Sequence, residues 1–170
     1  YTLEDVIAQQ HISNSHPGAY DDVTGSKITY KPPTGTVEVI YKFRYHMKYE
    51  ADTSTYEGQA VKLYISGVQC GRFKQTDNHA YGDTWVEFEW IIQIGTDDMP
   101  NGKISSWTDL KEIKVGMLER SSSNQAIIHG SFYSQNYGAD TDDVIQPELE
   151  VRAIGLGGVG GGVAVDNSTI

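Results

Sequence analysis

The side chains able to do chemistry in this 170-residue chain are five histidines, one cysteine and 23 Asp and Glu. A metal centre built from imidazoles wants two of them a few residues apart on one turn or strand. His11, His16, His46, His79 and His129 hold no such spacing, so no metal site is expected from them. His46 stands between Arg44 and Lys48 on the polar side of an alternating stretch, which predicts a solvated surface histidine. His129 sits mid-strand, and its pattern leaves either face open. Serine nucleophiles need a strained elbow and an ordered base, and no GxSxG occurs here to supply one. Cys70 lacks a neighbouring histidine and has only Gly71-Arg72 beside it, so a semi-buried structural thiol is expected rather than a thiolate.

Acidic loops are the next candidates. Asp140, Asp142 and Asp143 in one loop, with Asp97 and Asp98 in another, offer hard oxygen ligands suited to calcium. They lack the DxDxDG spacing of an EF-hand, and solvated acidic loops are the ordinary outcome on an acidic chain. Calcium is therefore the one weak cofactor candidate, and otherwise none is expected. GLGGVGGG contains a GxGxxG-like spacing at Gly155, Gly157 and Gly160, but it follows a β region with no βαβ unit, which argues against a phosphate loop. Trp85, Trp90 and Trp107 with eleven tyrosines offer flat faces on which sugars stack. Trp90 reads as core. Trp107, in a loop, is the best exposed candidate for a glycan or receptor contact, joined by Tyr137. Asn167-Ser168-Thr169 is a glycosylation sequon by pattern, relevant only to a secreted chain.

These residues must be positioned by strands. In TVEVIYKFRYHMKYE, residues 36–50, Val37, Val39, Tyr41, Phe43, Tyr45, Met47 and Tyr49 alternate with mostly polar residues, the signature of a strand with one packed face. Thirteen alternating positions would span about 43 Å. Further strands are predicted at 26–30, 59–66, 72–75, 84–94, 111–120, 126–134 and 147–154. The first dozen residues fit a helix or a strand equally, 67–71 reads as a tight connection, and 105–110 has room for one helical turn. About eight strands, little helix and turn-rich connections predict an all-β, antiparallel β-sandwich of jelly-roll type. The domain is expected to cover residues 1–154, with 155–170 as a Gly-rich tail or linker whose last residues regain apolar character. In 84–94 the face opposite Val86, Phe88, Trp90 and Ile92 carries Trp85 and Ile91, as a strand covered on both sides at a subunit contact would. Tyr45 and Tyr49 are expected to find hydroxyl partners at a sheet edge or a subunit boundary.

Composition excludes several classes. A net charge of −10, from 13 Lys and Arg against 23 Asp and Glu, disfavours nucleic acid as a partner. One cysteine permits no intrachain disulfide, which rules out a disulfide-stapled module. No apolar run is long enough for a membrane helix and no basic-then-apolar leader opens the sequence, so a soluble protein without membrane insertion is expected. A start at Tyr1 without Met suggests a fragment or a processed chain.

Taken in order, TVEVIYKFRYHMKY, VKLYISGVQCGRF, TWVEFEWIIQIG, SSWTDLKEIKVGMLER, IIHGSFYS and PELEVRAIG resemble the jelly-roll head domains of viral and phage fibres over roughly residues 4–155. Trimeric jelly rolls of the complement and tumour-necrosis-factor type look similar. The Gly-rich tail departs from heads whose last strand ends the chain. The resemblance implies a non-enzymatic virion structural or host-attachment domain at the virion surface. It would work as a homotrimer, with other virion proteins and a host glycan or receptor as partners. Tyr45, Tyr49, Trp85 and Ile91 are its interface candidates. The alternative is an extracellular carbohydrate-binding β-sandwich module. An enzyme is disfavoured, because no paired acid and base or organising motif is visible.

Overall fold

Period-two alternation produces strands in nearly every place it occurs. The computed structural model describes residues 4–12, 14–15, 17–49, 57–78, 82–119, 126–130, 144–156 and 165–169. Among them twelve strands form: β1 (Gln10–Ile12), β2 (Asp21–Asp22), β3 (Ile28–Tyr30), β4 (Thr36–Tyr49), β5 (Glu57–Ile65), β6 (Val68–Asn78), β7 (Gly82–Ile94), β8 (Lys103–Ile104), β9 (Lys111–Glu119), β10 (Ala126–Ile128), β11 (Glu148–Gly155) and β12 (Val165–Thr169). Eight of these match the predicted strands. The additions are β1, β2, β8 and β12, each of five residues or fewer.

The strands make two sheets, as expected for an antiparallel sandwich. One runs β1-β10-β4-β11-β12, with β7 and then β8 on the opposite edge of β4; the other runs β2-β9-β5-β6, with β3 also on β9. Strand β4 is the hub of its sheet. It pairs with β7 from Glu38↔Gln93 to Tyr49↔Gly82. On its other edge it pairs with β11 along Thr36–Arg44 and with β10 at Met47 and Lys48. Every strand ladder is antiparallel except the short β7–β8 pairing. The hairpin β5–β6 turns through Ser66 (φ 50) and Gly67 (φ 80), so the tight connection is two residues long and not the predicted 67–71. Consecutive positive φ angles suit a two-residue turn that follows the twist of its strands.

The core lies between the sheets. Val39, Tyr41, Phe43, Tyr45 and Met47 from β4 meet Val61 and Leu63 from β5 and Ile113, Val115 and Met117 from β9, all with no exposed surface. Burying tyrosines demands partners for their hydroxyls, and for Tyr41 and Tyr45 the chain supplies them internally. Tyr41 donates to the Ser26 carbonyl. Tyr45 donates to Gln59 Oε1 at 2.9 Å.

Three local expectations are corrected. The N-terminal stretch takes the strand alternative only at Gln10–Ile12, and residues 4–9 hold neither strand nor helix. Among the described residues the helical turn lies at Met99–Asn101, a 3-10 turn with Pro100 in second place, and not at 105–110. The C-terminal stretch contributes β12, which pairs Val165↔Ile154 through Thr169↔Glu150.

Candidate functional site

Sequence candidates scatter when placed on the fold. Trp107, expected to be exposed, is 4 % exposed. Its indole N–H donates to the Tyr30 carbonyl at 3.2 Å and its ring lies edge-on to Tyr30, so the loop after β8 tucks it into the core. Tyr45 is fully buried between Phe43 and Phe88. Its hydroxyl partner is in the facing sheet, where a subunit boundary was expected, because β4 runs through the middle of the sandwich at that point. Tyr49 ends β4 opposite Gly82, and its side chain lies outside the described residues, as do Tyr137, Asp140, Asp142 and Asp143. Trp85 and Ile91 stand on the outer face of β7, 41 % and 51 % exposed, with the Arg44 guanidinium 4.4 Å from the Trp85 ring centre. Among the described residues no group of three His, Cys, Asp or Glu is placed to hold a metal.

His46 overturns its expectation, and His129 settles one that was open. His46 is 6 % exposed, because Trp85 packs edge-on at 5.3 Å and the chain at Gly130 covers it. Its Nδ1 lies 2.7 Å from the Gly130 carbonyl oxygen. His129 is fully buried, in a left-handed conformation (φ 64) just after β10, with Nε2 2.9 Å from the Thr24 carbonyl oxygen. Burial, with the neighbouring His46 as a lesser contributor, holds its pKa down at about 4 against the backbone bond to Thr24, which raises it. Cys70 is buried as expected, and loss of solvent pushes its thiol up to about 11, which keeps it protonated and unreactive at neutral pH.

The feature with binding geometry is elsewhere, where the two sheets end side by side. Among the described residues β6 pairs only with β5, and β7 carries a partner on its outer edge only at Gln93 and Ile94. A bulge holds this side open. Val61 faces Lys74 and Leu63 faces Cys70, so Gly71, Arg72 and Phe73 together oppose the single residue Lys62. Extra residues of this kind bend a strand and re-aim its side chains. Gly71 supplies the left-handed angle (φ 79). At the end of the opening Gly102, also left-handed, follows the 3-10 turn so closely that an added Cβ would stand 2.9 Å from the Ile91 carbonyl oxygen.

The resulting cleft encloses about 500 Å³. Trp90 and Phe88 from β7 form its floor, Phe73 and Lys74 from β6 one side, and Ile91 and Asn101 the other. Phe73 is 55 % exposed, a flat apolar ring at the entrance. Trp90 is 4 % exposed, and its indole N–H has no hydrogen-bond partner among the described residues. A buried N–H left unpaired is uncommon and costs free energy unless water or a ligand accepts from it. The Lys74 ammonium sits 5.8 Å from the Trp90 ring centre. Glu87 and Glu89 lie on the rim, and Glu87 is tied to Lys42 at 2.9 Å. Sequence reasoning missed this site because its residues come from two strands in different sheets. Gly71, a glycine inside a strand pattern, was the available signal.

No family model matches the chain, and no curated protein matches it. Among solved structures it is similar to one described as "EclA C-terminal domain; sugar-binding protein", at 12 % identity and a TM-score of 0.38, with 75 % of this chain and 78 % of that chain covered.

Proposed function

We propose that this domain is a non-enzymatic carbohydrate-binding β-sandwich module whose ligand enters the cleft between β6 and β7. The observation that supports it is the pairing of an exposed aromatic ring, Phe73, with a buried, unpartnered donor, the Trp90 N–H, in one opening. A pyranose has the complementary surfaces: an apolar C–H face to lie on the ring, and hydroxyl and ring oxygens to accept from the indole. Asn101 adds its amide oxygen at the edge, its Nδ2 being tied to the Asp98 carboxylate. Small-molecule sites are commonly concave, mostly apolar and fitted with a few convergent polar groups, and this cleft has that make-up. A glycan array probed with the wild-type domain should show retained ligands, and Phe73→Ala should abolish retention while leaving the melting temperature within a few degrees. Absence of any retained glycan, or retention indifferent to Phe73→Ala, would overturn the proposal.

A homo-oligomeric attachment domain of the viral-fibre kind is a second reading, favoured by the exposed Trp85 and Ile91 side by side with charged residues on the outer face of β7. It predicts self-association in sedimentation experiments that Ile91→Glu disrupts. A monomer at every concentration tested would remove it.

A further inference from the structure

The donors and acceptors inside the cleft are unbalanced, and the imbalance specifies the ligand. Trp90 Nε1–H and the Lys74 ammonium are donors with no acceptor capacity of their own. Lys74 shares the face of β6 whose partner is the buried Val61, so it points towards the interior of the sandwich, where its ammonium reaches the Trp90 ring. Arg72, two residues earlier, lines the same opening. Neither cation forms a salt bridge among the described residues, although the chain carries 23 carboxylates against 13 Lys and Arg. The nearby carboxylates stand at the rim and form no salt bridge with either cation among the described residues. Glu87 and Glu89 alternate with the inward Phe88 and Trp90, which places them on the outer side of β7, and Glu87 is engaged by Lys42. Two cations without a salt bridge among the described residues, beside a buried N–H without a partner among them, give the opening a surplus of donors that an acceptor-rich ligand can use.

Resting on the carbohydrate reading above, we infer that the cleft takes a sugar bearing a carboxylate, with the acid group at Lys74 and the Trp90 N–H and the sugar face on Phe73. A carboxylate offers acceptor sites to both donors at once, and its hydrogen bonds to a charged group and to an N–H are stronger than those of a neutral hydroxyl. An acidic ligand must also overcome the −10 charge of the chain, which makes local cations the deciding feature of the site.

The test is calorimetry of the full chain against oligosaccharides of galacturonate, glucuronate and N-acetylneuraminate, each compared with its methyl ester, which keeps the ring and removes the charge. At least one acid should bind about tenfold or more tightly than its ester, a difference of about 1.4 kcal/mol or more. Lys74→Gln should bring the acid down to the ester's affinity while leaving the ester unchanged and the fold intact. A second readout is the indole N–H signal in proton–nitrogen spectra. The chain has three tryptophans, so the Trp90 peak is assigned by its loss in Trp90→Phe, and it should shift on adding the acid but hardly on adding the ester. Equal affinity of acids and esters, with Phe73-dependent binding, would overturn this inference and leave the carbohydrate reading standing. Binding of neither acids nor esters nor any neutral glycan would overturn both.

Discussion

The interior of the sandwich and its β6–β7 mouth are both rich in aromatic residues, yet the polar ends of Tyr41 and Tyr45 inside and of Trp90 at the mouth are treated differently. Between β4, β5 and β9 the buried hydroxyls of Tyr41 and Tyr45 find partners inside the chain, Tyr41 on Ser26 and Tyr45 on Gln59. At the mouth the Trp90 N–H has no hydrogen-bond partner, and Arg72 and Lys74 no salt bridge, among the described residues. The difference teaches where stability and where recognition reside. Satisfied polar groups in a dry core fix one packing arrangement, whereas unsatisfied ones at an opening keep their bonding capacity for something that arrives later.

The comparison is broken most directly by making one substitution in both places. Phe43→Ala removes a fully buried ring stacked on Tyr45 and should cost about 3–5 kcal/mol of unfolding free energy. Phe73→Ala, at the mouth, should stay within about 0.5 kcal/mol. Urea denaturation of the two variants measures both, and similar losses would mean that the mouth is core after all.

Acid probes the closed end next. The folded pKa of His129, about 4, lies below the ordinary histidine value of 6.5. Between these values the unfolded chain takes up a proton that the folded chain refuses. Stability is therefore unaffected above pH 6.5, falls as pH drops towards 4, and levels off below it, with a total loss on the order of 3 kcal/mol from this group. His129→Asn, which tolerates the left-handed backbone, should flatten that slope. An unchanged slope in pH-dependent melting would show that other groups cause it.

A smaller change sharpens the contrast between the two kinds of polar group. Tyr45→Phe leaves Gln59 Oε1 without its donor in the core and should destabilise by about 1–3 kcal/mol, with no change in association state. The smallest effect is expected from Lys74→Gln, which removes no internal ion pair and should shift stability by less than about 0.5 kcal/mol. A large loss at Lys74 would identify it as structural and weaken the case for the cleft.

How much of this was legible follows from how far apart the cooperating residues lie. Alternation along Thr36–Tyr49 and Gly82–Ile94 is local, so the strands, their inward faces and the sandwich could be read directly. His46 could not. It occupies a polar-face position by parity, and only the chain at Gly130, 84 residues away, closes over it. Trp107 was misplaced for the converse reason: loop composition gives no hint that an indole turns inward to the Tyr30 carbonyl. The cleft was hidden because the bulge at Gly71–Phe73, which keeps Lys74 on the inward parity of Cys70 but opens the edge between them, shows only in the register of β6 against β5.

Strand β4 also dictates the order in which the molecule can assemble. It is complete by residue 49, but its pairing with β7 waits for residues 82–94 and its pairing with β11 for residues 148–155; Arg44 meets Glu148 across 104 positions. Ladders this distant in sequence close slowly, on the millisecond-to-second scale typical of β-sandwiches. During synthesis the longest strand of the protein must wait with both edges open. Lys42 and Arg44, at half-exposed positions along it, are charges of the kind that discourage self-pairing of open strand edges.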